Sequence, residues 1–450
     1  MRRELRVAGA LFVALAGCRA VRDARQAQNP TTAIPGERTA SASEVGLPIK
    51  GTVALDDLLR IAAKVNPSLA KARFDAAVAG ARVHEAESAT LPHVSTNASV
   101  SYQDRKNTSS APVEHRFESL GFSLSWLLFD FGRSDALARN AAESWHAAQA
   151  DLRNTEVNTA FNVRSAYFDL AKQLQLSVVA HETVQQFQTH LDQVREFANV
   201  GTRIPYDVTK AEVDLANARL TEVKAVDAAL VAQATLANAL GLEEIVDWTP
   251  AENPELPPLP PSFDAAWELA RNTQPSLAAA TAREQAASAL VDARIAALYP
   301  SLDLTSSLNW SGAQTPLPWS AQVGGVLSWV PFDGFLNLST IDESAASLRS
   351  ARSARTLLEQ QVWLELRSAW LGIEDARQRL ELTTLSVHSA EQNVELAQGR
   401  FDVGKSTSVE LTDAQLALAQ ARSDLVQARA DERTASASLL KAIGIAIAPE

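Results

Sequence analysis

The chain has 450 residues, 46% of them hydrophobic, and a formal net charge of -12, so an acidic surface argues against nucleic acid as a partner. No run of about 18 or more apolar residues occurs, which excludes an ordinary transmembrane helix and leaves a β-barrel as the way to span a bilayer. The 7 histidines show no metal-ligand spacing, and there is no phosphate loop or nucleophile elbow, so neither an enzyme nor a cofactor is expected.

In chain order, residues 1–17 read as an export signal. Arg2, Arg3 and Arg6 form a basic start, residues 7–17 are apolar, and Leu15-Ala16-Gly17-Cys18 has the order of a bacterial lipobox. Cys18 is the only cysteine, which rules out an internal disulfide; it is expected to be the acylated start of the mature chain. Residues 18–51 then serve as lipid anchor and tether, being polar, rich in small residues and aperiodic.

A first structural unit is expected over 52–245. It opens with a helix near 53–89 that carries Pro67. A β-hairpin over 93–128 follows. Val94, Thr96, Ala98, Val100 and Tyr102 alternate with small polar residues, and Leu120, Phe122, Leu124 and Trp126 do so on the way back. Such alternation suits a membrane-barrel strand, with lipid on one face and water on the other, or a half-buried soluble hairpin. Residues 133–200 contain neither Gly nor Pro and predict one helix of about 100 Å. The chain should turn near Gly201 and return through 206–240. There Val208, Ala211, Leu215, Ala218, Ala225, Ala229, Ala232, Leu236 and Ala239 recur at coiled-coil spacing, broken by Glu222.

After a Pro-rich linker at 246–262, the same order repeats over 263–446, with a hairpin at 301–331 and a tip near 404. Pro67-Ser68-Leu69 recurs as Pro275-Ser276-Leu277 at an offset of 208. Trp126, Phe129 and Asp130 recur as Trp329, Phe332 and Asp333 at an offset of 203, as does Val200-Gly201 in Val403-Gly404. Rigid elements keep their length while a surface loop absorbs the five-residue change. Four strands cannot close a barrel by themselves, since the smallest closed membrane barrels use about eight. A barrel shared by three chains, with twelve strands, suits small polar inward residues better than an eight-stranded barrel filled by its own side chains.

Asn66-Pro67-Ser68-Leu69, the strand openings Leu91-Pro92 and Tyr299-Pro300, and the paired turns Phe197-Ala198-Asn199-Val200-Gly201 and Arg400-Phe401-Asp402-Val403-Gly404 occur in order and in register. Over about residues 50–446 this layout resembles the TolC-like outer membrane efflux proteins. The resemblance implies a mainly α fold with a membrane β-barrel portion. Long antiparallel coiled-coil hairpins form an α-barrel, and four strands per chain contribute to the twelve-stranded barrel of a homotrimer. It implies a channel that works with a periplasmic adaptor and an inner-membrane pump and passes small molecules or proteins outward without chemistry. Arg19 rather than Asp after the lipobox Cys implies sorting to the outer membrane and contact with its lipid. Val200, Gly201, Val403 and Gly404 would be the adaptor-docking tip, and Asp207, Glu410 and Asp413 the periplasmic constriction. The glycines equally suit ordinary helix ends, and Thr407-Ser408-Val409-Glu410 is a capping box that explains Glu410 without a pore. In some relatives an aromatic hydroxyl and an Arg bind the constriction acid; here Phe401 and Ser406 stand at those places, and Arg203 lies in the other copy. Met1 is the only methionine, which disfavours a relay for soft metal ions. A lipid-anchored periplasmic coiled-coil scaffold without a pore would explain the helices and Cys18, but not four alternating strands.

Overall fold

The computed structural model describes residues 41–44, 46–102, 116–200, 204–244, 246–251, 254, 256–313, 316–403 and 405–446. Cys18, the expected signal and most of the tether lie outside the described residues, as do Gly201, Arg203 and Gly404. In chain order the first half contains β1 (Lys50–Val53), α1 (Leu55–Val65), α2 (Pro67–Ser88), β2 (His93–Tyr102), β3 (Arg116–Phe129), α3 (Arg133–Asn199) and α4 (Pro205–Leu240). The second contains β4 (Asp247–Pro250), α5 (Phe263–Thr273), α6 (Pro275–Ala296), β5 (Ser301–Gly312), β6 (Trp319–Ser328), α7 (Leu336–Asp402) and α8 (Ser408–Ile443).

The helix expected over 53–89 is two helices. Pro67 pushes Asn66 out of helical geometry, to ψ 123, and then occupies the first position of α2, where its missing N–H costs nothing. Asn66 caps that helix by accepting from the Ser68 N–H at 2.9 Å. The same break falls between α5 and α6, at Gln274-Pro275. Beyond it, α3 and α7 each run for 67 residues, and α4 and α8 each for 36. At about 1.5 Å per residue the longer pair spans roughly 100 Å.

Each long helix folds back on its shorter partner, α3 on α4 and α7 on α8. Ala211, Leu215, Ala218, Ala229, Ala232 and Leu236 of α4 are buried in that seam, and small alanines let the helices approach closely. Helix α3 also packs on α2, α6 and α8, while α7 packs on α6 and α8. One flank of the helical layer is therefore α4 continued by α2, and the other is α7.

Midway along the helices sits the largest core, built from Leu55, Leu58, Val163, Leu170, Leu236, Leu240 and Trp248 with their neighbours. The tether ends sooner than the 18–51 reading placed it. Ala42, Leu47 and Val53 are buried in this core, and β1 pairs in parallel with β4, inside the stretch read as an extended linker. Burial of Trp248 drives this docking, and its indole N–H donates to the Pro48 carbonyl at 2.7 Å.

The Tyr167 hydroxyl clamps both short strands to α3, donating to the carbonyls of Ala251 at 3.0 Å and Val53 at 3.3 Å. Burial pushes its phenol up to about 12. The unfolded phenol titrates near 10, so the neutral hydroxyl stabilises the fold fully below about pH 10. That contribution is lost as pH rises toward 12. Tyr167→Phe is expected to cost about 1 kcal/mol at neutral pH and to flatten the loss of stability between about pH 10 and 12. Chemical denaturation of both proteins across that range checks it.

Candidate functional site: the strand sheet and the helical tips

Strands β2, β3, β5 and β6 form one antiparallel sheet in that order. Its register brings like with like. Val94 pairs with Leu124, and Ala98, Leu120, Trp310 and Trp319 form an apolar row from edge to edge, so one face is mainly apolar, with Thr96 and Ser306 within it and Glu118 and Arg116 at its far end. On the other face Ser95, Ser123 and Ser307 line up, as do Ser99, Ser119 and Ser311. The hydroxyls of Ser95 and Ser123 lie 2.7 Å apart, and those of Ser99 and Ser119 2.8 Å. Between these rungs Asn97 and Asn309 converge over Gly121, where an added Cβ would fall 2.5 Å from each side-chain oxygen. A larger residue here would have to push both amides aside.

Two tryptophans fasten the sheet to the helices. The Trp126 indole N–H donates to the Thr90 carbonyl at 3.0 Å, and Trp329 to the Leu298 carbonyl at 3.1 Å. Asp130 accepts from the Ser134 N–H, and Asp333 from the Asn337 N–H, satisfying the exposed donors that open α3 and α7. The repeated Trp and Asp are thus strand-to-helix joints. Beside one joint Phe129 meets Phe131 edge-on and Phe131 stacks on Tyr299, and beside the other Phe332 meets Phe335 edge-on.

At the opposite end, Val200 and Val403 cap α3 and α7 and are 73% and 66% exposed. Thr407 is the N-cap of α8, accepting from the Glu410 N–H at 3.2 Å. The Glu410 carboxylate is held by Arg400 at 2.8 Å and by the Ser406 hydroxyl at 2.8 Å. Phe401 is buried, against His190 and Phe197 of α3. Asp207 lies in the first turn of α4 and Asp413 is exposed on α8; among the described residues neither carboxylate forms an ion pair. The structure therefore separates the three expected constriction acids into one tied acid and two unpaired ones. The reading from sequence missed Arg400, which reaches Glu410 across a turn where no periodicity signals a contact. It also missed His190, which stands among Phe187, Leu191 and Val194 on the buried face of α3.

Both flanks of the helical layer carry apolar stripes that the chain leaves uncovered. On α4 these are Val213, Leu220, Val223 and Leu230; on α7, Leu357, Leu364 and Leu371 recur every seven residues. Among the described residues no helix is long and apolar enough to cross a membrane, and no group of His, Cys, Asp and Glu could hold a metal ion.

A family model described as outer membrane efflux protein matches residues 58–242 and 266–445. The chain is 26% identical over 413 residues to the outer membrane efflux protein BepC of Brucella suis biovar 1 (strain 1330), spanning 89% of this chain and 88% of that protein. It is 23% identical over 418 residues to the outer membrane protein TolC of Escherichia coli (strain K12), spanning 86% and 82%. Its fold matches that of a membrane protein from Pseudomonas aeruginosa with a TM-score of 0.80 at 21% identity, over 92% of this chain and 99% of the other. With both of its halves matched by one family model, the chain belongs to the outer membrane efflux protein family.

Proposed function

We propose that three copies of this chain form a channel through the outer membrane, open to an inner-membrane pump through a periplasmic adaptor. The observation that carries this reading is the four-stranded sheet. It has one apolar face, one face of Ser and Asn, and two outer edges, on β2 and β6, that pair with no strand among the described residues. In hydrocarbon an open edge leaves backbone donors and acceptors without partners, so such a sheet is stable in lipid only when closed by further strands. The apolar stripe on α7 and that on α4 lie on opposite flanks, which is the arrangement of a head-to-tail ring. Three sheets give twelve strands with a hydrated lumen of hydroxyls and amides, and three helical layers continue the tube. The equal lengths of the paired helices support a duplicated unit as the source of this near-symmetry.

In this reading Cys18 carries the lipid anchor, and the tips at Val200, Gly201, Val403 and Gly404 meet the adaptor. Asp207 and Asp413 face the periplasmic mouth. The exposed aromatics beside the strand-to-helix joints mark the membrane's inner boundary. Small molecules or proteins pass through without chemistry, driven by the pump. A lipid-anchored scaffold without a pore leaves the two-faced sheet without a role.

Native mass spectrometry in detergent is expected to give a trimer, and the same preparation is expected to conduct ions in a planar bilayer. A monomer that is stable in detergent and silent in the bilayer overturns the proposal.

A further inference from the structure

In the four-stranded sheet the side chains that can carry charge near neutral pH are His93, Arg116, Glu118 and Asp303. Arg116 and Glu118 have the parity of Leu120 and lie at the far end of the mainly apolar face, where they pair with each other. His93 and Asp303 have the parity of Ser95 and Ser307 and stand on the face of Ser and Asn. His93 donates from Nδ1 to the Leu91 carbonyl at 3.0 Å, and an imidazole is neutral at about pH 8. Asp303 is therefore the one carboxylate on the polar face of these strands. Its counterpart in the first copy, 208 residues earlier, is Ser95, as Pro92 is that of Pro300, so each chain brings one such charge and not two.

Asp303 is half-buried near the start of β5, beside the joint where the sheet meets the helices. Across the sheet it is paired with Leu127 of β3 and Val326 of β6, whose side chains offer no donor. The Ser301 hydroxyl donates to it at 3.4 Å, and among the described residues it forms no ion pair. An unpaired carboxylate is costly in hydrocarbon, so this face is the one turned to water. A closed barrel of twelve strands about 4.8 Å apart and tilted by about 40° has a circumference of about 75 Å and a backbone radius of about 12 Å. An inward Asp side chain extends about 3–4 Å, which leaves its carboxylate roughly 8 Å from the axis, close to the Debye length at physiological salt. Three such charges at one level give the whole cross-section a negative potential, which the neutral hydroxyls and amides along the strands do not cancel.

We infer that Asp303 sets the charge selectivity of the barrel: three copies form an anionic ring at its inner end, which favours cations and cationic solutes over anions. The inference rests on the reading of this sheet as one third of a channel barrel, and it places a second charged level far from the helical tips.

The test measures reversal potentials of the full chain in planar bilayers across a potassium chloride gradient at about pH 8, where imidazoles are neutral. All variants are made in an Asp413→Asn background, which takes the charge at the other end out of the comparison. Asp303→Asn is expected to lower the cation preference several-fold near 0.01 M salt, where the Debye length is about 30 Å, and to change it little near 1 M, where it is about 3 Å. Asp303→Glu is expected to keep the preference. Asp303→Cys is expected to behave as Asp303→Asn, to regain the preference after an anionic, water-soluble thiol reagent, and to turn toward anions after a cationic one; the background protein given the same reagents controls for Cys18. Conducting channels with the same selectivity in Asp303→Asn, or an Asp303→Cys variant that both reagents leave unchanged, overturn the inference and leave the channel standing. A wild type that never conducts overturns the channel and the inference with it.

Discussion

Gly444→Ala and Gly241→Ala are each expected to lower stability by about 2–5 kcal/mol, among the largest effects a single methyl group can have in this chain. Both glycines end the returning helix of a hairpin in the left-handed region, with φ 93 and 88. That geometry alone costs a residue with a side chain roughly 1–2 kcal/mol. Space adds to it. A Cβ on Gly444 would lie 2.9 Å from both the Gln274 Cα and the Thr273 carbonyl oxygen, and one on Gly241 would lie 2.6 Å from the Pro67 ring. The atoms in the way are backbone or a proline ring, which cannot swing aside, so the helix end must lift off its neighbour. The control has the opposite sign. Gly372 sits within α7 with open space where its Cβ would be, and Gly372→Ala is expected to stabilise by about 0.4–1 kcal/mol. Denaturant titrations followed by helical circular dichroism compare the three; if the two caps and the control lose stability alike, the close approach is not what requires glycine.

The same contacts explain why several short motifs recur together. Asn66-Pro67 and Leu240-Gly241 are far apart in the chain, yet the Asn66 amide donates to the Ala239 carbonyl at 2.9 Å and Pro67 covers Gly241. A repeat offset records such a meeting without naming it, because both partners keep their places when a unit is duplicated. Helix α3 was legible for a simpler reason: 67 residues without Gly or Pro and a steady buried stripe on its partner leave few alternatives. Pro67 was visible too, but reading it as a passenger within one helix ignored its effect on Asn66. Two features were beyond reach. The strands β1 and β4 are 4 residues each, too short for periodicity, and they pair across nearly 200 residues because Trp248 needs cover. The second apolar stripes on α4 and α7 were hidden because a single chain is searched for one buried face, whereas these helices have two. At the tip, side chains met across turns and between hairpins, so the acids were found from resemblance while Arg400 and His190 were not.

Asp413→Asn is expected to reduce cation preference and divalent-cation block from the periplasmic side several-fold, with stability unchanged. Glu410→Gln is expected to do the reverse. Both acids stand near the start of α8, three residues apart, and in the sequence only the capping box set Glu410 apart from Asp413. Their surroundings differ. The Glu410 carboxylate is already shared between Arg400 and Ser406, and its backbone N–H is taken by Thr407. A carboxylate beside a guanidinium presents little net charge to an ion in the lumen. Its loss removes a largely exposed ion pair, worth about 0.2–1 kcal/mol, together with part of a capping box. Asp413 has neither duty: among the described residues it forms no ion pair, and it is exposed on the first turns of the helix. In a trimer three such carboxylates surround one axis, where crowded like charges draw cations and oxygen ligands suit hard divalent ions. Single-channel recordings with divalent cations on the periplasmic side, run beside thermal unfolding, separate the roles. Equal relief of block in both variants would show that Glu410 shares the mouth despite Arg400; no relief in Asp413→Asn would move the constriction elsewhere, with Asp207 of α4 the next residue to change.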